Sequence, residues 1–104
     1  MPNTAVIIRI TTRPGQRAAL RARWDEHLRA RVEQSPAQAL YLVVEDAADP
    51  DTLHLVEVYT DPAAMDRNAQ APWFAAYLAA VAPLLAGQPV MATGDLVWAK
   101  GAPV

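Results

Sequence analysis

Residues 39–60, ALYLVVEDAADPDTLHLVEVYT, decide the fold. Two runs, Ala39–Asp46 and Leu53–Thr60, are rich in β-branched and large apolar side chains that suit a pleated surface. The segment between them, Ala48–Thr52 (ADPDT), is short, polar and proline-containing, so the runs are predicted to form an antiparallel hairpin. Alternation then sorts their side chains. In the second run Leu53, Leu55, Glu57 and Tyr59 share one side, and His54, Val56 and Val58 the other. In the first, Leu40, Leu42 and Val44 oppose Tyr41, Val43 and Glu45. An antiparallel sheet with one wet face alternates cleanly between apolar and polar residues. Neither face is polar here, so both are expected to be covered, one by helices and the other by a second copy of the chain. The prediction is a homodimer joined through its sheet faces.

The flanking sequence supplies the remaining elements. Ala5–Thr12 (AVIIRITT) reads as a strand, and Arg13-Pro14-Gly15-Gln16 as a turn. From Gln16 to Gln34 there is no glycine or proline, and Leu20, Trp24, Leu28 and Val32 recur every four residues as one apolar helical stripe. Ser35-Pro36 stops that helix. After the hairpin, Asp61 is a suitable N-cap with Pro62 at the first helical position of a short helix reaching Ala69. Ala71-Pro72 interrupts it. Pro72–Ala82 is apolar on most sides, and Pro83 predicts a kink or stop. Gly87-Gln88-Pro89 is a turn, and Val90–Lys100 a last strand in which Gly94 is a candidate bulge. The order strand, helix, strand, strand, helix, strand predicts an α+β fold: a ferredoxin-like βαββαβ antiparallel sheet with its helices on one face.

The sequence is 104 residues long, which suits a single domain spanning 1–104. Hydrophobic residues make up 53%, too many for a disordered chain and consistent with apolar surface left over for self-association. The net charge of −2, with acidic residues interleaved among the arginines between Arg13 and Arg31, argues against nucleic-acid binding. No apolar run reaches membrane-spanning length, and the first residues lack the basic-then-apolar pattern of a signal peptide. Cysteine is absent, which excludes disulfides and thiol chemistry and fits a reducing compartment. The expectation is a cytoplasmic protein without membrane contact. The two histidines, His27 and His54, are far apart in sequence, so no metal site built by the protein is expected.

No phosphate-binding glycine loop, nucleophile elbow or dinucleotide fingerprint is present. What stands out is an aromatic set with a few polar groups, the composition of a pocket for a flat organic ligand. Trp24, Phe74 and Trp98 read as core fillers, whereas Tyr59, Trp73 and Tyr77 are equally suited to core or pocket wall. Glu57 sits mid-strand among apolar residues, and a buried carboxylate needs a partner or a raised pKa. It either pairs structurally with Arg9 or serves a site. His27, at the edge of the helical stripe, is either a boundary residue or a general base. His54, opposite Glu57, reads as an interface residue. Asn68 is either a ligand contact or a local cap.

Three pieces in order, Arg13-Pro14-Gly15-Gln16, Glu57-Val58-Tyr59 and Asp61 to Tyr77 (DPAAMDRNAQAPWFAAY), resemble the antibiotic biosynthesis monooxygenase family of dimeric α+β barrel proteins. The resemblance spans Val6 to Lys100. It implies a dimer whose two sheets form a barrel, with one pocket per subunit between sheet and helices. It also implies oxygenation of anthrone-type or quinol substrates without a cofactor. On that reading His27 or Glu57 is the base, Tyr59 and Asn68 orient an oxyanion, and Trp24, Tyr41, Trp73, Phe74 and Tyr77 bind a small aromatic ligand. The chain departs from the family pattern in having Asn68 and Trp73 where many relatives carry histidine, and Tyr59 where a tryptophan often ends the third strand. It also has Tyr77-Leu78 where the haem-degrading branch has its axial histidine, which argues against haem degradation. An isomerase or cyclase using the same base, or a non-catalytic binding dimer, are the alternatives on the same scaffold.

Overall fold

The structure is a computed structural model that describes residues 3–101. Its four strands are β1 (Thr4–Thr11), β2 (Gln38–Glu45), β3 (Thr52–Tyr59) and β4 (Val90–Asp95). They form one antiparallel sheet in the order β2-β3-β1-β4. The helices are α1 (Arg17–His27), α2 (Arg29–Gln34), α3 (Pro62–Gln70) and α4 (Pro72–Val81), followed by one 3-10 turn at Ala82–Leu84. Helical and strand elements thus follow the predicted order.

The hairpin turn is held by its aspartates. Asp46 accepts backbone N–H bonds from Ala48 and Asp49, and Asp49 accepts from the Asp51 N–H and the Thr52 hydroxyl. Arg17 of α1 clamps the same turn, donating to the carbonyls of Asp46 and Asp49 and pairing with Glu45 at 3.3 Å. Gly15 adopts φ +78°, the left-handed conformation that glycine accepts without steric cost, and its N–H reaches Asp51 Oδ1 at 2.9 Å. These contacts fix the position of α1 over the hairpin.

The core lies between the helices and one sheet face. Leu20, Trp24 and Leu28 pack with Tyr77 and Val81 of α4 onto Ile10, Leu53 and Leu55, while Ala64 of α3 meets Val6 and Tyr59. The opposite sheet face leaves Ile7, Leu42, Val44 and Val90 between 45% and 57% exposed.

Five expectations need correction. The first helix is not straight: at Leu28 φ widens to −114°, yet the Leu28 N–H still bonds the Trp24 carbonyl, so the helix bends there and resumes as α2. The last strand ends at Asp95, because the register pairs Asp95 with Thr4 at the start of β1; among the described residues only the Leu96 N–H to Asn3 contact lies beyond. Trp98, past that point, is 76% exposed and fills no core. Gly94 pairs regularly with Ala5 and marks no bulge; the register shift lies instead between Gln38 and Leu40. Finally, Arg9 does not pair with Glu57. It faces His54 across the ladder, on the exposed side of the sheet, whereas Glu57 faces Val6 on the helix side.

Candidate functional site

Between the inner sheet face and helices α3 and α4 lies a cavity of about 890 Å³, near the upper end of the roughly 300–1,000 Å³ typical of small-molecule sites. Ile8 and Leu55 contribute apolar wall from the sheet. Trp73, Phe74 and Tyr77 contribute the aromatic wall from α4. The sequence creates that wall through Ala71-Pro72. Ala71 is extended (φ −71°, ψ 142°), caps both helices and starts α4 in a new direction. Trp73 and Phe74 meet edge-on with centroids 6.1 Å apart, and Phe74 and Tyr77 lie 6.0 Å apart. Both are favourable spacings for aromatic pairs.

On the sheet side a polar cluster interrupts the apolar lining. Glu57, only 8% exposed, accepts a hydrogen bond at Oε1 from the Tyr59 hydroxyl at 2.8 Å and a longer one from Gln38 Nε2 at 3.3 Å. Gln38 Nε2 also donates to the Tyr59 oxygen at 2.8 Å. The three side chains form a closed triangle on the cavity wall. Burial raises the pKa of the Glu57 carboxyl above its ordinary value, and the bonds from Tyr59 and Gln38 partly offset that rise. Burial likewise pushes Tyr59 up to about 12, with the Glu57 charge adding to the rise and Asn68 and Gln38 acting in the opposite direction. Tyr77 is pushed up to about 12 by burial and then by Glu57. Tyr41 is raised further, chiefly by burial. All three shifts hold the phenols in their neutral form near neutral pH.

The structure brings Glu57, Tyr59, Asn68, Tyr41, Trp73, Phe74 and Tyr77 to the cavity wall. It does not place Trp24 or His27 there. Trp24 is core, standing behind Tyr41 and donating its indole N–H to the Tyr41 hydroxyl at 3.1 Å. His27 is half-buried with its ring 6.2 Å from that of Tyr77. His54 lies on the opposite sheet face, bonded to Asp46 at 2.7 Å, and this bond is the main reason the Asp46 carboxyl falls to about 2. Among the described residues no group of three or more His, Asp or Glu side chains is placed to hold a metal ion. Nor, among them, is any helix long and apolar enough to cross a membrane.

The model of the antibiotic biosynthesis monooxygenase family matches residues 4–80, the segment that builds three of the strands, all four helices but one residue, and the Glu57 triangle. The chain belongs to that family. Solved structures agree with the assignment. A protein of Mycobacterium tuberculosis is 28% identical with a TM-score of 0.81, covering 95% of this chain and 99% of its own. A candidate antibiotic biosynthesis monooxygenase of Chloroflexus aurantiacus is 26% identical with a TM-score of 0.81, covering 97% and 99%. A further candidate from Caulobacter crescentus, at 20% identity and a TM-score of 0.85 over 93% and 92%, shares the fold. No curated protein matches the chain.

One cluster residue of this family member escaped the sequence reading. Gln38 lies two residues before Leu40, and simple alternation puts both on the outer face. The bulge between them breaks the alternation and pairs Gln38 with Tyr59, turning its amide toward the cavity. The local sequence, Ser35-Pro36-Ala37-Gln38, carries no glycine to announce a bulge.

Proposed function

We propose that this family member is a cofactor-independent monooxygenase of a small electron-rich aromatic, of quinol or anthrone type, with Glu57 as its general base. The observation that carries the reading is the buried Glu57 carboxyl, held by Tyr59 and Gln38, in the wall of a largely apolar and aromatic cavity. A raised carboxyl pKa makes it a stronger proton acceptor than an exposed glutamate, closer to what removal of an acidic phenol or benzylic proton requires. With its proton gone, such a substrate is electron-rich enough to reduce O₂ directly. For an anthrone, the methylene carbon gains one oxygen atom as a carbonyl, and the second oxygen leaves with the two methylene hydrogens as water. Asn68 donates a hydrogen bond to the developing oxyanion, while Tyr59, whose single O–H proton is given to Glu57, orients that carboxyl. Trp73, Phe74 and Tyr77 hold the ring system and exclude water.

The same proposal includes a dimer through the outer sheet face. The exposed Ile7, Leu42, Val44 and Val90 support it, since a second sheet laid against them buries the aliphatic row that water now meets.

Oxygen consumption with anthrone and with a menadiol-type quinol tests the activity. Uptake above the uncatalysed rate, lost in Glu57→Gln, is the expected result. Equal rates with and without the protein for both substrates refute it, and turnover in the absence of oxygen redirects it to a non-redox reaction at the same base.

A further inference from the structure

We infer that the cavity is built for an aromatic ligand of defined polarity, carrying an acidic substituent at its outer end, and that Arg31 is the residue that recognises that anion. This inference rests on the cavity and on the placement of Glu57 proposed above, and it adds the substrate's charge and orientation.

Three acidic or basic side chains line the cavity: Glu57, Asp66 and Arg31. Glu57 is buried in the wall, while Asp66 on α3 and Arg31 on α2 are exposed at its open side. Arg31 is the one cation among the described lining residues. Most arginines of α1 and α2 are held by neighbouring carboxylates: Arg21 by Asp25, Arg23 by Glu26, and Arg29 by Asp25 and Glu33. Arg31 has no carboxylate within 4.0 Å among the described residues, Asp66 included. It lies instead over the Trp73 ring, 5.3 Å from the centroid.

That contact determines what Arg31 can still do. A cation–π contact uses the charge of the guanidinium over the ring and leaves N–H donors for other partners. The free donors belong to a side chain that lines the cavity on a platform, Trp73, that is itself cavity wall. A planar fork of donors without a carboxylate of its own matches a carboxylate or sulfonate on a ligand bidentately. The inner end imposes the opposite demand. Glu57 repels an anion there and accepts from a hydroxyl. A ligand with an acidic group at the Arg31 end and a phenolic or enolic hydroxyl at the Glu57 end satisfies both; the reversed pose satisfies neither. The class is a hydroxylated aromatic acid.

Two fluorescent probes that differ only in the anion test this: 1-anilinonaphthalene-8-sulfonate and its neutral counterpart N-phenyl-1-naphthylamine, titrated against the whole chain. Both are expected to bind, the sulfonate more tightly. Arg31→Gln is expected to weaken the sulfonate about fivefold to tenfold while leaving the neutral probe within twofold, and 0.5 M salt to shrink the preference. Arg29→Gln removes the same charge two residues away, outside the lining, and should change neither affinity. Equal losses for both probes in Arg31→Gln, or an equal loss of sulfonate binding in Arg29→Gln, overturn the assignment of Arg31 but leave the cavity intact. Failure of the neutral probe to bind overturns the cavity reading and this inference with it. A sulfonate affinity unchanged in Arg31→Gln overturns the inference alone.

Discussion

Removing one oxygen atom, in Tyr59→Phe, interrogates the polar triangle directly. Tyr59 is 5% exposed, and its hydroxyl makes two bonds of 2.8 Å, one donated to Glu57 and one accepted from Gln38. Phenylalanine fills the same space, so no cavity forms and the change isolates the hydrogen bonds. A bond to an ionised group contributes roughly 1.5–3 kcal/mol and a neutral one about 1 kcal/mol, less the relief of no longer burying a hydroxyl. The net cost is about 2 kcal/mol, or a fall in Tm of roughly 10 °C for a chain of this size. The pH dependence is more diagnostic. Because burial raises the Glu57 carboxyl above 4.5, the folded chain holds that proton more tightly than the unfolded one. The stability this lends is fully present below about pH 4.5 and is lost as pH rises through the folded value. The Tyr59 bond favours the ionised form, so deleting it raises that carboxyl further and the gap between wild type and Tyr59→Phe widens as pH climbs. Tyr59 itself, pushed up to about 12, does not titrate in this window. Urea denaturation followed by circular dichroism between pH 4 and 9 measures the gap, and repeating it in a Glu57→Gln background should abolish the widening. A gap below about 0.5 kcal/mol, or one that is flat across pH with Glu57 present, refutes the geometry of the triangle.

Glu57→Gln should lower kcat/KM for oxygen uptake by roughly 10²–10⁴, the usual contribution of a general base, while stability at pH 8 is held or raised because an uncharged group replaces a desolvated one; undiminished turnover assigns the proton transfer elsewhere. Val44→Lys combined with Ile7→Lys places two charges in the aliphatic outer face and should convert a dimer to a monomer in sedimentation velocity at micromolar concentration, whereas an unchanged dimer locates the interface on another surface. Asp46→Asn removes the carboxyl that the His54 bond holds down at about 2. Its folded pKa is depressed, so the stability it lends is present above about pH 4 and disappears as pH falls toward 2; thermal melts of the two forms should differ at pH 6 and converge at pH 2.

Much of the fold was legible because its determinants are local. Alternation in residues 39–60 put Leu53, Leu55, Glu57 and Tyr59 on one face, and the ladder places them there. The Asp61-Pro62 cap is where the sequence predicts it, with Asp61 accepting from the Ala63 N–H at 3.0 Å. Local signals failed where a strand depends on a distant partner. Val90–Lys100 is strand-like throughout, yet pairing stops when the register reaches the start of β1, and Trp98 is left at the surface.

The sequence by itself determined the order of elements, the helix stops and the facing of the two hairpin strands from Leu40 onward, because caps, prolines and a period of two act over a few residues. Only the tertiary structure decided the partners of the buried Glu57 carboxyl. Arg9 and Gln38 are both in the sheet, but the pleat sends Arg9 to the outer face, while a bulge that no local residue announces turns Gln38 inward to Glu57 and Tyr59. The same holds for the cavity wall. The bend at Leu28 and the break at Ala71 set which side chains line the space beside the sheet, and there Arg31 and Trp73 meet while Trp24 and His27 stay outside. Which side chains face a common space depends on how elements far apart in sequence pack together, and no short-range pattern encodes that.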